Sequence, residues 1–164
     1  PNAPTNLMVL PYFTPSGTPY FEIETAGAIL GLRLSTTREE IIRALLEGVT
    51  FEMRLNLDIM EKSGIRIEKL HMIGGGAKSK KLAQLKSDVL GRPISVVKVT
   101  EAGCLAVAML ACSAHTGIEI ETLLNEWVQI GSEIEPIKAN ADYYSSRMEE
   151  YKRLFPALKG WTKN

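Results

Sequence analysis

Apolar residues recur along this chain with two alternating periods, and the periods divide it into strands and helices. Leu7-Met8-Val9-Leu10 predicts a strand, the loop Pro11 to Thr25 follows, and Gly27-Ala28-Ile29-Leu30-Gly31-Leu32 predicts a second short strand. Thr37 and Glu40 are offset by three, as in a capping box, so a long helix is expected to start there and run to about Lys62. Within it Ile42, Leu45, Leu46, Val49, Met53, Leu57 and Met60 recur at three- and four-residue steps, predicting one buried stripe. Phe51, Leu55 and Ile59 add a second apolar face, which places the helix between two layers. Gly48 in its middle costs about 1 kcal/mol of helix propensity, a cost explained by a close backbone neighbour or simply tolerated.

The next apolar run, Glu68 to Ile73, ends in Gly74-Gly75-Gly76 and passes directly into a helical pattern, Ser79 to Leu90, stopped by Gly91 and Pro93. Ile94 to Val99 is a β-branched strand, and Thr100 is expected to cap a helix from Glu101 to Thr116 that ends at Gly117. That helix is built of small residues, including Ala102, Gly103, Ala106, Ala108, Ala111 and Ala114, which suit close approach to another backbone. Two further helices are expected, around Ile120 to Ile130 and Asp142 to Leu154, and the tail from Gly160 to Asn164 is expected to fray. Tyr144, Met148, Tyr151 and Phe155 form a core-facing stripe on the last helix. Strands alternating with helices indicate an α/β domain with at least partly parallel sheet.

Length and charge narrow the reading. With 164 residues the chain can form one compact domain that buries roughly two thirds of its unfolded surface. Nineteen basic residues balance nineteen acidic ones, so no global field draws nucleic acid or an anionic membrane. Locally, Lys78, Lys80, Lys81 and Lys86 gather beside the glycines, where they either meet phosphates or form a solvated helix face. Cys104 and Cys112 lie in one helix roughly 12 Å apart, too far for a disulfide, and read as small buried hydrophobes of a reducing compartment. His71 and His115 are isolated and no metal-ligand spacing occurs, so no metal site is expected. No signal peptide and no span long enough for a bilayer is apparent, and the protein is expected to be cytoplasmic. The opening Pro1-Asn2-Ala3-Pro4 reads as that of a trimmed product or a fragment.

The candidate chemistry lies in the glycine run. A strand, a side-chain-free turn and a helix start together place amides and the positive end of a helix dipole beside cleared space, fit for a flat or anionic ligand. The same turn also serves as a plain strand-to-helix connection. It is not a dinucleotide fingerprint, because Ser79 stands where the third glycine belongs, nor a Walker A loop, because Lys78-Ser79 follows Ala77.

Three stretches in order carry a family resemblance. Leu10-Pro11-Tyr12 with Thr18-Pro19-Tyr20-Phe21 and Gly27 to Leu32 is the first, Arg43-Ala44-Leu45-Leu46-Glu47-Gly48-Val49-Thr50-Phe51 the second, and Met72 to Ser79 continuing to Asp88-Val89-Leu90-Gly91-Arg92-Pro93 the third. Together they resemble the C-terminal lobe of the FGGY carbohydrate kinases, in which two actin-like lobes close over ATP and a sugar or polyol. The resemblance implies a partial actin-like, ribonuclease-H-like ATPase lobe, with a mixed sheet flanked by helices, over residues 1–164. It implies adenine nucleotide at Gly74, Gly75, Gly76, Ala77 and Lys80, with Mg²⁺ held mainly through the nucleotide phosphates. The small-residue helix from Glu101 would pack at the inter-lobe hinge, and the resemblance leaves room for a homodimer.

The departures shape the expectation. Xylulokinases commonly carry Gly-Glu-Arg where Pro15-Ser16-Gly17 stands here, which puts D-xylulose in doubt as substrate. The Asp-x-Gly-Thr-type phosphate loop, the second phosphate turn, the sugar site and the catalytic aspartate belong to segments absent from this sequence. No catalytic residue is therefore expected in it, and the chain reads as part of a sugar kinase, inactive alone. A free-standing nucleotide-binding or regulatory module, and a structural domain with a vestigial glycine turn, remain open alternatives.

Overall fold

The computed structural model describes residues 3–99 and 101–160, and these group into two compact units. Of these, the first comprises residues 3–67, 88–91 and 136–160; the second comprises 68–87, 92–99 and 101–135.

In the first unit, β1 (Met8–Leu10) pairs antiparallel with β2 (Ala28–Leu30), with Val9 opposite Ile29. Helix α1 (Arg38–Lys62) begins at the expected capping box: Glu40 N–H donates to Thr37 Oγ1 at 3.2 Å, and Thr37 N–H donates to Glu40 Oε2 at 2.7 Å. Leu7 and Val9 pack with Ala44, joined by Ile41 and Leu45. Gly48 is explained here. A Cβ on it would lie 2.6 Å from the carbonyl oxygen of Val9, so α1 and β1 touch backbone to backbone. Helix α5 (Lys138–Leu158) is longer than expected, and its Tyr144, Met148, Tyr151 and Phe155 are all buried, as the stripe predicted. Phe51 stacks on Tyr151 at 5.0 Å and meets Tyr144 edge-on at 5.9 Å.

The long stripe on α1 requires correction. Ala44, Glu47, Gly48, Thr50, Phe51 and Leu55 form the buried face, whereas Ile42, Leu46, Val49, Met53 and Met60 are exposed. Periodicity located both faces but could not tell which of them this chain covers.

In the second unit, β4 (Ile94–Val97) lies between β3 (His71–Met72), parallel to it, and β5 (Ile130–Ile134), antiparallel to it. The sheet is therefore mixed, and β3 and β4 are joined through α2 (Lys80–Leu90). Strand β5 replaces the end of an expected helix, because α4 (Ile120–Trp127) stops three residues short of Ile130. Gly131 makes this pairing possible, since a Cβ there would sit 2.7 Å from the Val96 carbonyl oxygen. Helix α3 (Ala102–Thr116) ends at Gly117 in the left-handed conformation, φ +74°. Its N-cap position is Glu101 without a side-chain cap; the expected capping residue, Thr100, lies outside the described residues, as does most of the tail.

One expectation about α3, that its two cysteines are buried, fails, and its close backbone approach finds no partner among the described residues, the expected one being the inter-lobe hinge. Cys104 is exposed and Cys112 half-buried, and nothing lies within 4 Å of a Cβ on Gly103. The described residues supply no close backbone neighbour for that glycine. Among them no helix is long and apolar enough to cross a membrane.

Candidate functional site

Strand β3 delivers the chain to Gly74, which takes φ +81°, ψ −172°, a conformation that disfavours any residue with a Cβ. One 3-10 turn follows, Gly75–Lys78, closed by Ala77 N–H to Gly74 O at 3.0 Å and Ser79 N–H to Gly76 O at 3.1 Å. Ser79 then opens α2: its Oγ accepts from Leu82 N–H at 3.3 Å and its carbonyl from Ala83 N–H at 3.0 Å. Strand, side-chain-free turn and helix start are thus adjacent, as the sequence predicted.

The three glycines are not equivalent. Nothing lies within 4 Å of a Cβ built on Gly74 or Gly75, so both border open space. A Cβ on Gly76 would instead meet Met72 Cε at 3.3 Å and Leu82 Cδ2 at 3.4 Å, on the unit's own side. Gly75 combines open space with no positive φ, whereas the special backbone angle belongs to Gly74. Lys78, Lys80 and Lys81 are exposed around the turn, and Ala77 is half-buried beneath it. Residues 74–81 contain no carboxylate, so the local side chains supply cationic donors and no general base. Such a turn can hold an anionic or planar ligand but cannot by itself deprotonate a hydroxyl. Among the described residues no three His, Cys, Asp or Glu side chains group to hold a metal.

The long-helix signature plays a structural part. Glu47, only 3% exposed, accepts from Arg43 Nε at 2.8 Å, Tyr144 Oη at 2.6 Å and Thr5 N–H at 3.3 Å on one oxygen, and from Thr5 Oγ1 at 2.7 Å on the other. Arg43 Nη2 also donates to Tyr144 Oη at 3.1 Å. Burial first, then the Glu47 carboxylate, pushes the Tyr144 phenol well above its usual range. Asp88, in the third family-like stretch, is 1% exposed and accepts from Ile137 N–H at 2.8 Å and Asn140 Nδ2 at 2.7 Å, fixing the start of α5. Neither role is visible in the sequence, because apart from Arg43, one helical turn from Glu47, the partners lie 42 to 97 residues away. In the departing loop, Ser16 Oγ accepts from Glu22 N–H at 2.9 Å, so Pro15-Ser16-Gly17 is part of a closed turn.

A second carboxyl, Glu52, accepts from the hydroxyls of Tyr12 and Tyr151 through one oxygen. Burial raises its pKa above the ordinary carboxylate value, and the two hydroxyl donors oppose that rise without cancelling it. Between the ordinary value and the raised one, the folded chain binds more protons than the unfolded chain. Stability is therefore expected to fall as pH rises through that window. Glu52→Gln, which keeps the accepting oxygen, should remove this part of the pH dependence and leave neutral-pH stability equal or higher. Urea midpoints of both proteins at pH 4 to 8 check it; parallel profiles would mean that Glu52 does not titrate in this window.

Comparison with known proteins is consistent with this geometry. Residues 1–115, more than half of the chain, match the family model described as the FGGY family of carbohydrate kinases, C-terminal domain. The chain is 35% identical over 157 residues to glycerol kinase 2 of Saccharolobus solfataricus, covering 94% of this chain and 31% of that protein. It is 27% identical over 150 residues to a xylulose kinase of Staphylococcus xylosus, covering 91% of this chain and 31% of that one. Its fold superposes on a xyloylose kinase from Brucella ovis with a TM-score of 0.85 at 29% identity, over 97% of this chain and 34% of the other. The chain thus spans about a third of the length of these relatives, and the fold it shares with the solved kinase is the actin-like one expected from the sequence.

Proposed function

The chain belongs to the FGGY family of carbohydrate kinases, as part of its C-terminal domain, and on that basis we propose that it supplies the adenosine side of an ATP-dependent sugar or polyol kinase. Gly74, Gly75, Gly76 and Ala77 receive the nucleotide on their main chain, and Lys80 flanks the base from the start of α2. When bound, ATP brings the γ-phosphoryl group and, through its phosphates, Mg²⁺. The chain's own residues bind and orient, while the acceptor sugar and the carboxylate that takes its proton belong to the preceding domain. The site of action is the cytoplasm. The observation that carries this reading is the open space over Gly74 and Gly75, at a helix start, with three exposed lysines around it.

Two outcomes are expected. The chain alone turns over no ketose, aldose or polyol in a coupled ADP-release assay, because phosphoryl transfer needs phosphates, Mg²⁺ and an in-line nucleophile held together. It still binds ATP weakly, with a dissociation constant of about 1 mM, or about −4 kcal/mol. Gly75→Val should abolish that binding without lowering the melting temperature, since the new side chain enters open space. Titration calorimetry and thermal unfolding of the same samples test both halves. Turnover by the chain alone, or unchanged binding in the variant, would remove the reading.

A further inference from the structure

Helix α1 has two apolar faces, and this chain covers one of them. At about 100° per residue, Ile42, Leu46, Val49, Met53 and Met60 fall within an arc of roughly 60°, opposite the face carrying Ala44, Phe51 and Leu55. The face with Phe51 is buried, and Leu45 and Leu57, the other two residues of the predicted stripe, are half-buried, whereas these five are 46%, 41%, 48%, 39% and 41% exposed. Their steps of four, three, four and seven are those of a helix seam that packs on another surface. The stripe runs for roughly 27 Å, far beyond the scattered single apolar residues that an ordinary surface carries.

The occupant follows from length. Relatives are about three times as long as this chain, and the matched family model is the C-terminal domain, so most of a family polypeptide precedes the matched region. We propose that the α1 stripe is the docking surface for that preceding part of the kinase polypeptide, which meets it with an apolar surface of its own. The stripe is then a core position of the assembled enzyme and a surface only in this portion of it. The inference rests on family membership and not on the nucleotide site, so either can fail without the other.

The test compares thiol labelling in two contexts. Leu46→Cys and Met53→Cys, each with Cys104→Ser and Cys112→Ser, are labelled with a water-soluble maleimide in residues 1–164 alone. The same variants are labelled in a fusion of residues 1–164 to the N-terminal two thirds of glycerol kinase 2 of Saccharolobus solfataricus. Labelling is expected to be rapid in the chain alone and at least about tenfold slower in the fusion, with an exposed control, Glu39→Cys, equal in both. Equal rates at the stripe in both contexts would overturn the proposal. So would protection in the chain alone that grows with its concentration, because a second copy would then be the occupant. Leu46→Glu in the chain alone can overturn the proposal even if the fusion does not fold. An unchanged melting temperature is expected, and a drop of several degrees would make the stripe part of this chain's own core and end the proposal.

Discussion

Glu47→Ala should lower the unfolding free energy of this chain by roughly 3–5 kcal/mol. The carboxylate is almost fully buried and is the common acceptor for Arg43, Tyr144 and both the amide and hydroxyl of Thr5. Removing it takes an ion-pair partner from a half-buried guanidinium and leaves several donors without their shared acceptor. Those orphaned groups, more than the lost attraction, set the cost. Against a typical domain stability of about 5–15 kcal/mol, that is a large share of the total. Glu47→Gln retains one accepting oxygen for Arg43, Tyr144 and the Thr5 amide, so it should recover more than half of the loss. Urea midpoints for the three proteins check the order. Equal midpoints for wild type and Glu47→Ala would show that the network contributes nothing.

Gly48→Val should cost about 3 kcal/mol, the upper part of the range for overpacking. The clash is with backbone, at 2.6 Å from the Val9 carbonyl oxygen, and Val9 is held in register opposite Ile29. A flexible side chain could swing away; a paired strand cannot. Gly48→Ala gains about 1 kcal/mol of helix propensity yet should still destabilise, because its Cβ already makes the contact. Gly103→Ala provides the contrast. With nothing within 4 Å, it should stabilise α3 by about 0.5–1 kcal/mol. Melting temperatures moving in opposite directions for the two alanine variants are the expected result.

These two glycines also show how much of the molecule was legible in its sequence. The capping box at Thr37 and Glu40, the odd glycine at 48 and the aromatic stripe of α5 are local signals, and each appears where the pattern put it. Strand β5 was missed because Ile130-Gly131-Ser132-Glu133-Ile134 carries little strand character; its pairing depends on a glycine that lets Val96 approach. Periodicity predicts a buried α1 stripe because it reports which residues are apolar, not whether their cover is present. The same holds for Cys104 and Cys112 on α3, apolar in pattern and yet not buried. At the candidate site the turn and the helix start were legible. Which glycines border open space was not, since that depends on where Met72 and Leu82 point.

Whether the glycine turn receives adenine nucleotide is read from backbone amide shifts of the ¹⁵N-labelled chain titrated with ATP to about ten times a millimolar constant. Saturating shifts concentrated in residues 74–80, absent from the Gly75→Val protein, are expected. Shifts that saturate elsewhere while residues 74–80 stay silent, or no shifts at all, would contradict binding at the turn.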